Sequence, residues 1–128
     1  MADTEKVTIN MNVVDLGKID LLVDEGFYTN RTDFIRSAIR YQLNRHDDSV
    51  KSSIVRRSMV LGTLNLTAAG LEKRRVRSEK LSILVVGVVT IADDVDPQLA
   101  ADVIESIKVY GSLRANKAVQ QALADRMQ

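Results

Sequence analysis

Cysteine and tryptophan are absent from this 128-residue sequence, and histidine and proline occur once each. Without cysteine, neither a disulfide framework nor a thiolate metal site can form. With His46 as the sole histidine, a histidine-rich metal site within one chain is excluded too. Long hydrophobic runs are also missing. The longest, Leu81 to Ala92, is twelve residues, against the roughly 20 that a membrane helix requires. The opening stretch MADTEKVTIN is polar and lacks the apolar centre of a signal peptide. The expectation is a soluble cytoplasmic protein with no membrane partner and no cofactor. Apolar residues make up 45% of the chain, enough for a packed core and too many for wholesale disorder. The length suits one ordinary domain or two small ones.

Net charge is +1, but it is unevenly spread. Residues 1–49 hold six Lys/Arg against nine Asp/Glu, a net of −3; residues 50–80 hold eight against two, a net of +6; residues 81–128 hold four against six, a net of −2. Overall charge therefore gives no support for a nucleic-acid partner, and the question becomes where individual side chains point.

The chain divides near residues 47–58, DDSVKSSIVRRS, a polar stretch between two different patterns. Ahead of it, Lys6 to Asn12 alternates strictly: Val7, Ile9 and Met11 fall on one face, and Lys6, Thr8, Asn10 and Asn12 on the other. A period of two marks a half-buried strand. Leu16, Ile19, Leu22 and Val23 then follow helical spacing, and Gly26 is placed to end that helix. A second helix is predicted to start at Thr29 or Asn30. Asn30 and Asp33 occupy the cap and N3 positions of a near capping box, and Phe34, Ile35, Ala38, Ile39 and Leu43 form its apolar face.

This strand, the glycine turn and the run Asn30-Arg-Thr-Asp-Phe-Ile-Arg-Ser-Ala-Ile-Arg40 together resemble the ribbon-helix-helix family of CopG/Arc/MetJ-like repressors. The N-terminal unit is similar to that of the nickel-responsive repressors in that family. The resemblance covers about a third of the chain, and the C-terminal half carries none. Physical reasoning points the same way. An isolated amphipathic strand is not stable. Two copies paired antiparallel would direct Val7, Ile9 and Met11 onto the helices and project Lys6, Thr8 and Asn10 from the opposite face. A two-stranded ribbon fits the major groove, where lysine can donate to guanine, asparagine can bond adenine twice, and threonine can offer a hydroxyl or a methyl. The resemblance implies that Lys6, Thr8 and Asn10 read bases and that Thr29, Asn30, Arg31 and Thr32, at a helix N-terminus, hold phosphates. Asp3 and Glu5 ahead of the strand, and the acidic residues Asp15, Asp20, Asp24 and Glu25, oppose that role unless they face away from DNA.

The second half is self-similar. Gly62, Gly87 and Gly111 recur at spacings of 25 and 24 residues within short β-rich segments, and Val95 and Leu99 match Val119 and Leu123, each 24 apart. A short helix is predicted after the second and third glycine segments; after the first, Leu66 to Glu72 is too short and glycine-broken to assign. The middle segment, almost continuously apolar from Ile83 to Ile91, reads as a central strand buried on both faces. Strands joined by crossovers would run parallel. Outer edges would be left open, inviting pairing between chains.

Lys73, Arg74, Arg75 and Arg77 form the densest basic run. It reads foremost as a solvated loop between repeats and secondarily, with Arg56 and Arg57, as an auxiliary contact for the DNA backbone. His46 fits the negative end of a helix. Asp93, Asp94 and Asp96 ahead of Pro97 look like helix-start residues, with a divalent-cation site the weaker reading. Metal sensing does not carry over from the nickel-responsive repressors, whose ligands are histidine and cysteine, because residues 59–128 contain neither.

The expected fold class is α+β: a ribbon-helix-helix unit over 1–48 forming an intertwined dimer, a linker over 49–58, and an α/β repeat domain over 59–128 that oligomerises or senses an effector. The expected function is a homodimeric, sequence-specific transcriptional regulator of double-stranded DNA, a repressor, and not an enzyme. Two alternatives share these residues: an antitoxin that also binds a toxin partner, and a scaffold that self-assembles through the repeats.

Overall fold

The computed structural model describes residues 4–127; Asp3 lies outside them. Contacts divide the chain into two compact units at the bond between Ser53 and Ile54.

The first unit is helical. Residues 4–12 carry no regular secondary structure in the single chain, so the strand expected over Lys6–Asn12 is not formed within one protomer. Helix α1 spans Val13–Asp24, capped by the Asn12 side chain, whose Oδ1 accepts from the N–H groups of Val14 at 2.8 Å and Asp15 at 3.3 Å. It stops at Gly26, which takes φ +87°. The Gly26 N–H donates to the Val23 carbonyl and the Phe27 N–H to the Leu22 carbonyl. This paired closure is the Schellman arrangement, and it needs a left-handed residue that glycine supplies without strain. Helix α2 spans Arg31–Arg45 and ends on His46 as its C-cap. Helix α3 follows at once, Asp47–Arg56. The stretch expected as a linker, 49–58, is thus helical through Arg56. Its serines do not break the helix, and Lys51 pairs with Asp47 one turn back at 2.9 Å.

The second unit is a three-stranded parallel sheet with helices: β1 (Val60–Leu66), α4 (Ala68–Val76), β2 (Leu81–Ile91), α5 (Pro97–Val103), β3 (Ile104–Arg114) and α6 (Lys117–Ala122), closed by a 3₁₀ turn at Ala124–Arg126. Strand order is β1-β2-β3, all parallel. Gly62 pairs with Gly87, and Gly87 with Gly111. The repeat read from the sequence is therefore the register of the sheet. All three glycines lie at φ between +125° and +141°. A Cβ on Gly87 would overlap the carbonyl oxygen of Gly62, and one on Gly111 that of Gly87. Close approach of backbones is what the glycine row provides.

Each strand leads into a capped helix. The Thr67 hydroxyl accepts from Gly70, the Asp96 carboxylate from Gln98, and the Asn116 side chain from Val119. The first repeat thus has its own helix, α4, where none could be assigned. The cap at Thr67 and the burial of Leu71 at 1% exposure outweigh the cost of Gly70, about 1 kcal/mol against alanine. One core cluster joins Leu71, Leu99, Val103, Val119 and Leu123 from the helices to Ile83, Val85, Val89 and Ile91 on β2 and Ile107 on β3. The helices therefore cover one face of the sheet. On the other face Val88 is buried while Leu84, Val86 and Thr90 are half-buried, so β2 is central but less deeply buried on that side than its composition had suggested.

Candidate nucleic-acid interface

The alternating segment is solvent-exposed from Thr4 to Asn10, so Lys6, Thr8 and Asn10 all stand in solvent, as do Val7 and Ile9. Met11 is half-buried and, with Asp15, Lys18, Ile19, Leu22 and Phe34, lines an open groove of about 470 Å³. Apart from Asp15 and Lys18, its lining is apolar. On α2, Ile39 and Leu43 remain more than half exposed. Ile19 is the one fully buried hydrophobic residue of the described part of this unit. A core that small cannot offset the chain entropy of some fifty residues.

The start of α2 gathers the four residues expected to meet phosphate. Asn30 is the N-cap; its Oδ1 accepts from the Asp33 N–H at 2.8 Å. Asp33 in turn accepts from the Thr29 N–H at 3.0 Å. This is a capping box displaced by one residue, reaching back to Thr29 rather than to the cap itself. The N–H groups of Arg31 and Thr32, the first two of the helix, have no carbonyl one turn earlier to donate to, and their dipoles favour an anion. The Arg31 side chain is engaged elsewhere: its guanidinium donates to both carboxylate oxygens of Asp20 on α1, at 2.7 and 2.8 Å. That hydrogen bond, more than the charge, holds Asp20 below the usual carboxylate range and raises Arg31. Sequence reading counts Asp20 among the acidic residues that oppose a DNA role unless they face away; it does not anticipate the pair with Arg31. The edge-to-face packing of Tyr28 on Phe34, 4.9 Å between ring centroids, steadies the loop before the cap.

A profile of the ribbon-helix-helix transcriptional regulator family matches residues 2–120. The chain belongs to that family. The match runs through the C-terminal sheet as well as the N-terminal unit, so both halves fall within this ribbon-helix-helix regulator's family pattern. No curated protein and no solved structure matches the chain.

The expected auxiliary cations lie in the second unit and are largely engaged. The basic run, read as a loop, is helical over Lys73, Arg74 and Arg75, which form the last turns of α4. Arg75 pairs with Glu72 at 2.6 Å and with Asp102 at 3.5 Å, and these hydrogen bonds, the one to Glu72 first, raise it above the ordinary guanidinium range. Arg74 and Arg77 both face Glu79. Arg57 donates to the Tyr110 hydroxyl at 2.9 Å with its guanidinium over the ring, which lowers that hydroxyl. A run of cations in a sequence says nothing about acids that folding brings from elsewhere, here Asp102. Among the described residues, no group of three or more histidine, aspartate or glutamate side chains is placed to hold a metal, and no helix is long and apolar enough to cross a membrane. Asp96 caps α5, and Asp94 accepts from the Ala68 N–H at 3.4 Å.

Proposed function

We propose that this regulator is a homodimeric repressor that reads double-stranded DNA through a β-ribbon made of residues 6–12 from two chains. One observation carries the reading. The N-terminal unit leaves Val7, Ile9, Ile39 and Leu43 exposed and buries Ile19 alone among its described hydrophobics. A second copy supplies what is missing. Paired antiparallel, the two segments place Val7, Ile9 and Met11 over the groove and against α2, and the pleat then turns Lys6, Thr8 and Asn10 outward to base edges. The N-terminus of α2, with Thr29, Asn30, Arg31 and Thr32, holds the flanking phosphates and sets the register.

The C-terminal sheet, residues 59–128, acts as an oligomerisation domain that links ribbon dimers, so adjacent half-sites are bound with a gain from effective concentration. The basic residues Arg56, Arg57, Lys73, Arg74, Arg75 and Arg77 add at most a secondary backbone contact, because most are paired with acids or with Tyr110. No catalytic role enters, and the site of action is the cytoplasm.

Selection of bound sequences from a random DNA pool, at two salt concentrations, gives the operator. Thr8→Ala or Asn10→Ala then lowers discrimination at one base position by about 1–3 kcal/mol. Variants that keep the parent's preference for operator over random DNA would refute the ribbon assignment.

A further inference from the structure

We infer that β1 pairs antiparallel with β1 of a second copy, joining two three-stranded sheets into one of six strands. The inference is independent of the DNA reading. Strand β1 is an edge, bonded to β2 on one side only. Its seven residues, Val60-Leu-Gly-Thr-Leu-Asn-Leu66, include no charge and no proline. Val60 is 51% and Leu61 68% exposed. Edge strands of folded proteins are ordinarily guarded by lysine, proline, a bulge or a covering segment, because their unpaired N–H and C=O groups template association. Among the described residues this edge has none of these guards.

The opposite edge is guarded. β3 carries Glu105, Lys108 and Arg114, and the chain after α6 returns to it, with Met127 bridging Ile107 in parallel. Stacking β3 of one copy on β1 of the next would meet that obstruction and would grow without closing. Two β1 edges meet as identical, uncharged partners about a two-fold axis. That symmetry makes the pairing antiparallel and closed, and no like charges face each other along it. Gly62 favours the approach, since the space where its Cβ would stand is open to 4 Å. The pairing would shelter Val60 and Leu61 and satisfy the outward backbone groups of the strand.

The absence of cysteine makes the test direct. Single cysteines are placed in the full chain at Leu61→Cys, Thr63→Cys or Asn65→Cys, with Ala118→Cys on exposed α6 as control, and each is oxidised mildly after its fold is checked by circular dichroism. At least one β1 position is expected to give a covalent two-chain product at least tenfold faster than the control. Adding Leu61→Lys to Thr63→Cys or Asn65→Cys is expected to suppress it by a similar factor. Three outcomes overturn the proposal: no product from any β1 position, a product as fast at residue 118, or a product insensitive to the lysine. A mixture in which Thr63→Cys couples to Ser112→Cys on β3 rather than to itself would establish head-to-tail stacking and overturn it as well.

Discussion

The guanidinium of Arg31 grips the carboxylate of Asp20 through two hydrogen bonds of 2.7 and 2.8 Å, tying the first turn of α2 to the middle of α1. A cation expected to serve phosphate is thus half-neutralised in the free protein. The pair fixes the angle at which the α2 N-terminus is presented, at the expense of attraction for DNA. Asp20→Asn is predicted to strengthen binding to non-specific duplex several-fold. The slope of log affinity against log salt should steepen by about one unit, the signature of one more effective phosphate contact. Fluorescence titrations at several salt concentrations check it. An unchanged slope would mean that Arg31 stays bound to the mutated side chain or never approaches the phosphates.

Acid should undo the same clamp. The Arg31 hydrogen bond lowers Asp20 from its ordinary 3.8, opposed by desolvation and aided by the Arg31 charge. A carboxyl lowered on folding stabilises the fold fully above its unfolded value. That contribution declines as pH falls below 3.8 and is gone below the folded value. The melting temperature of the parent is therefore predicted to exceed that of Asp20→Asn at neutral pH, with the gap closing in strong acid. Both side chains are about half exposed, so the gap is small. A difference that persists at the lowest pH would assign the effect to packing.

The glycine row predicts a graded response. At Gly87 and Gly111 an alanine Cβ would collide with the preceding strand's carbonyl as well as adopt an unfavourable φ, whereas at Gly62 only the backbone conformation objects. Gly62→Ala should cost about 1–3 kcal/mol. Gly87→Ala, in the central strand, should cost roughly twice that, since overpacking against a rigid backbone adds a similar amount. Thermal denaturation of the three variants gives the order. Equal losses at all three positions would mean that conformation alone, and not strand approach, explains the glycines.

The parts that could be read from sequence are those whose cause is local. Gly26 and the Asn30–Asp33 pair mark helix ends because the chemistry of the cap lies within four residues. The recurrence of Gly62, Gly87 and Gly111 every 24 or 25 residues showed the sheet register because repeats stack in phase. What escaped depended on distant or unusual partners. Helices α3 and α4 end on Ser58 and Ser78 at φ +52° and +55°, the position glycine takes after α1, so no glycine announces either stop. Helix α4 was hidden by Gly70, and the engagement of the basic run by Asp102, nearly thirty residues away. Alternation singled out Lys6, Thr8 and Asn10, but the single chain leaves their segment without regular structure, and the ribbon proposed for it needs a second chain.

The two units should differ in whether they can fold without a partner. Residues 54–128 contain the whole fourteen-residue buried cluster, Leu66 through Leu123, and a fragment of that span is predicted to keep a cooperative melting transition. This argues against a C-terminal segment that folds only on a toxin. A fragment of residues 1–53 buries Ile19 alone among its described hydrophobics and exposes Val7, Ile9, Phe27 and Ile39. The proposed dimer ties folding there to association, so its melting midpoint should climb with protein concentration, as mass action requires when only the native form associates. Circular dichroism melts over a hundredfold concentration range, with sedimentation at each end, separate the cases. A residue 1–53 fragment that melts at one temperature throughout, as a monomer, would remove the need for a second chain and with it the ribbon.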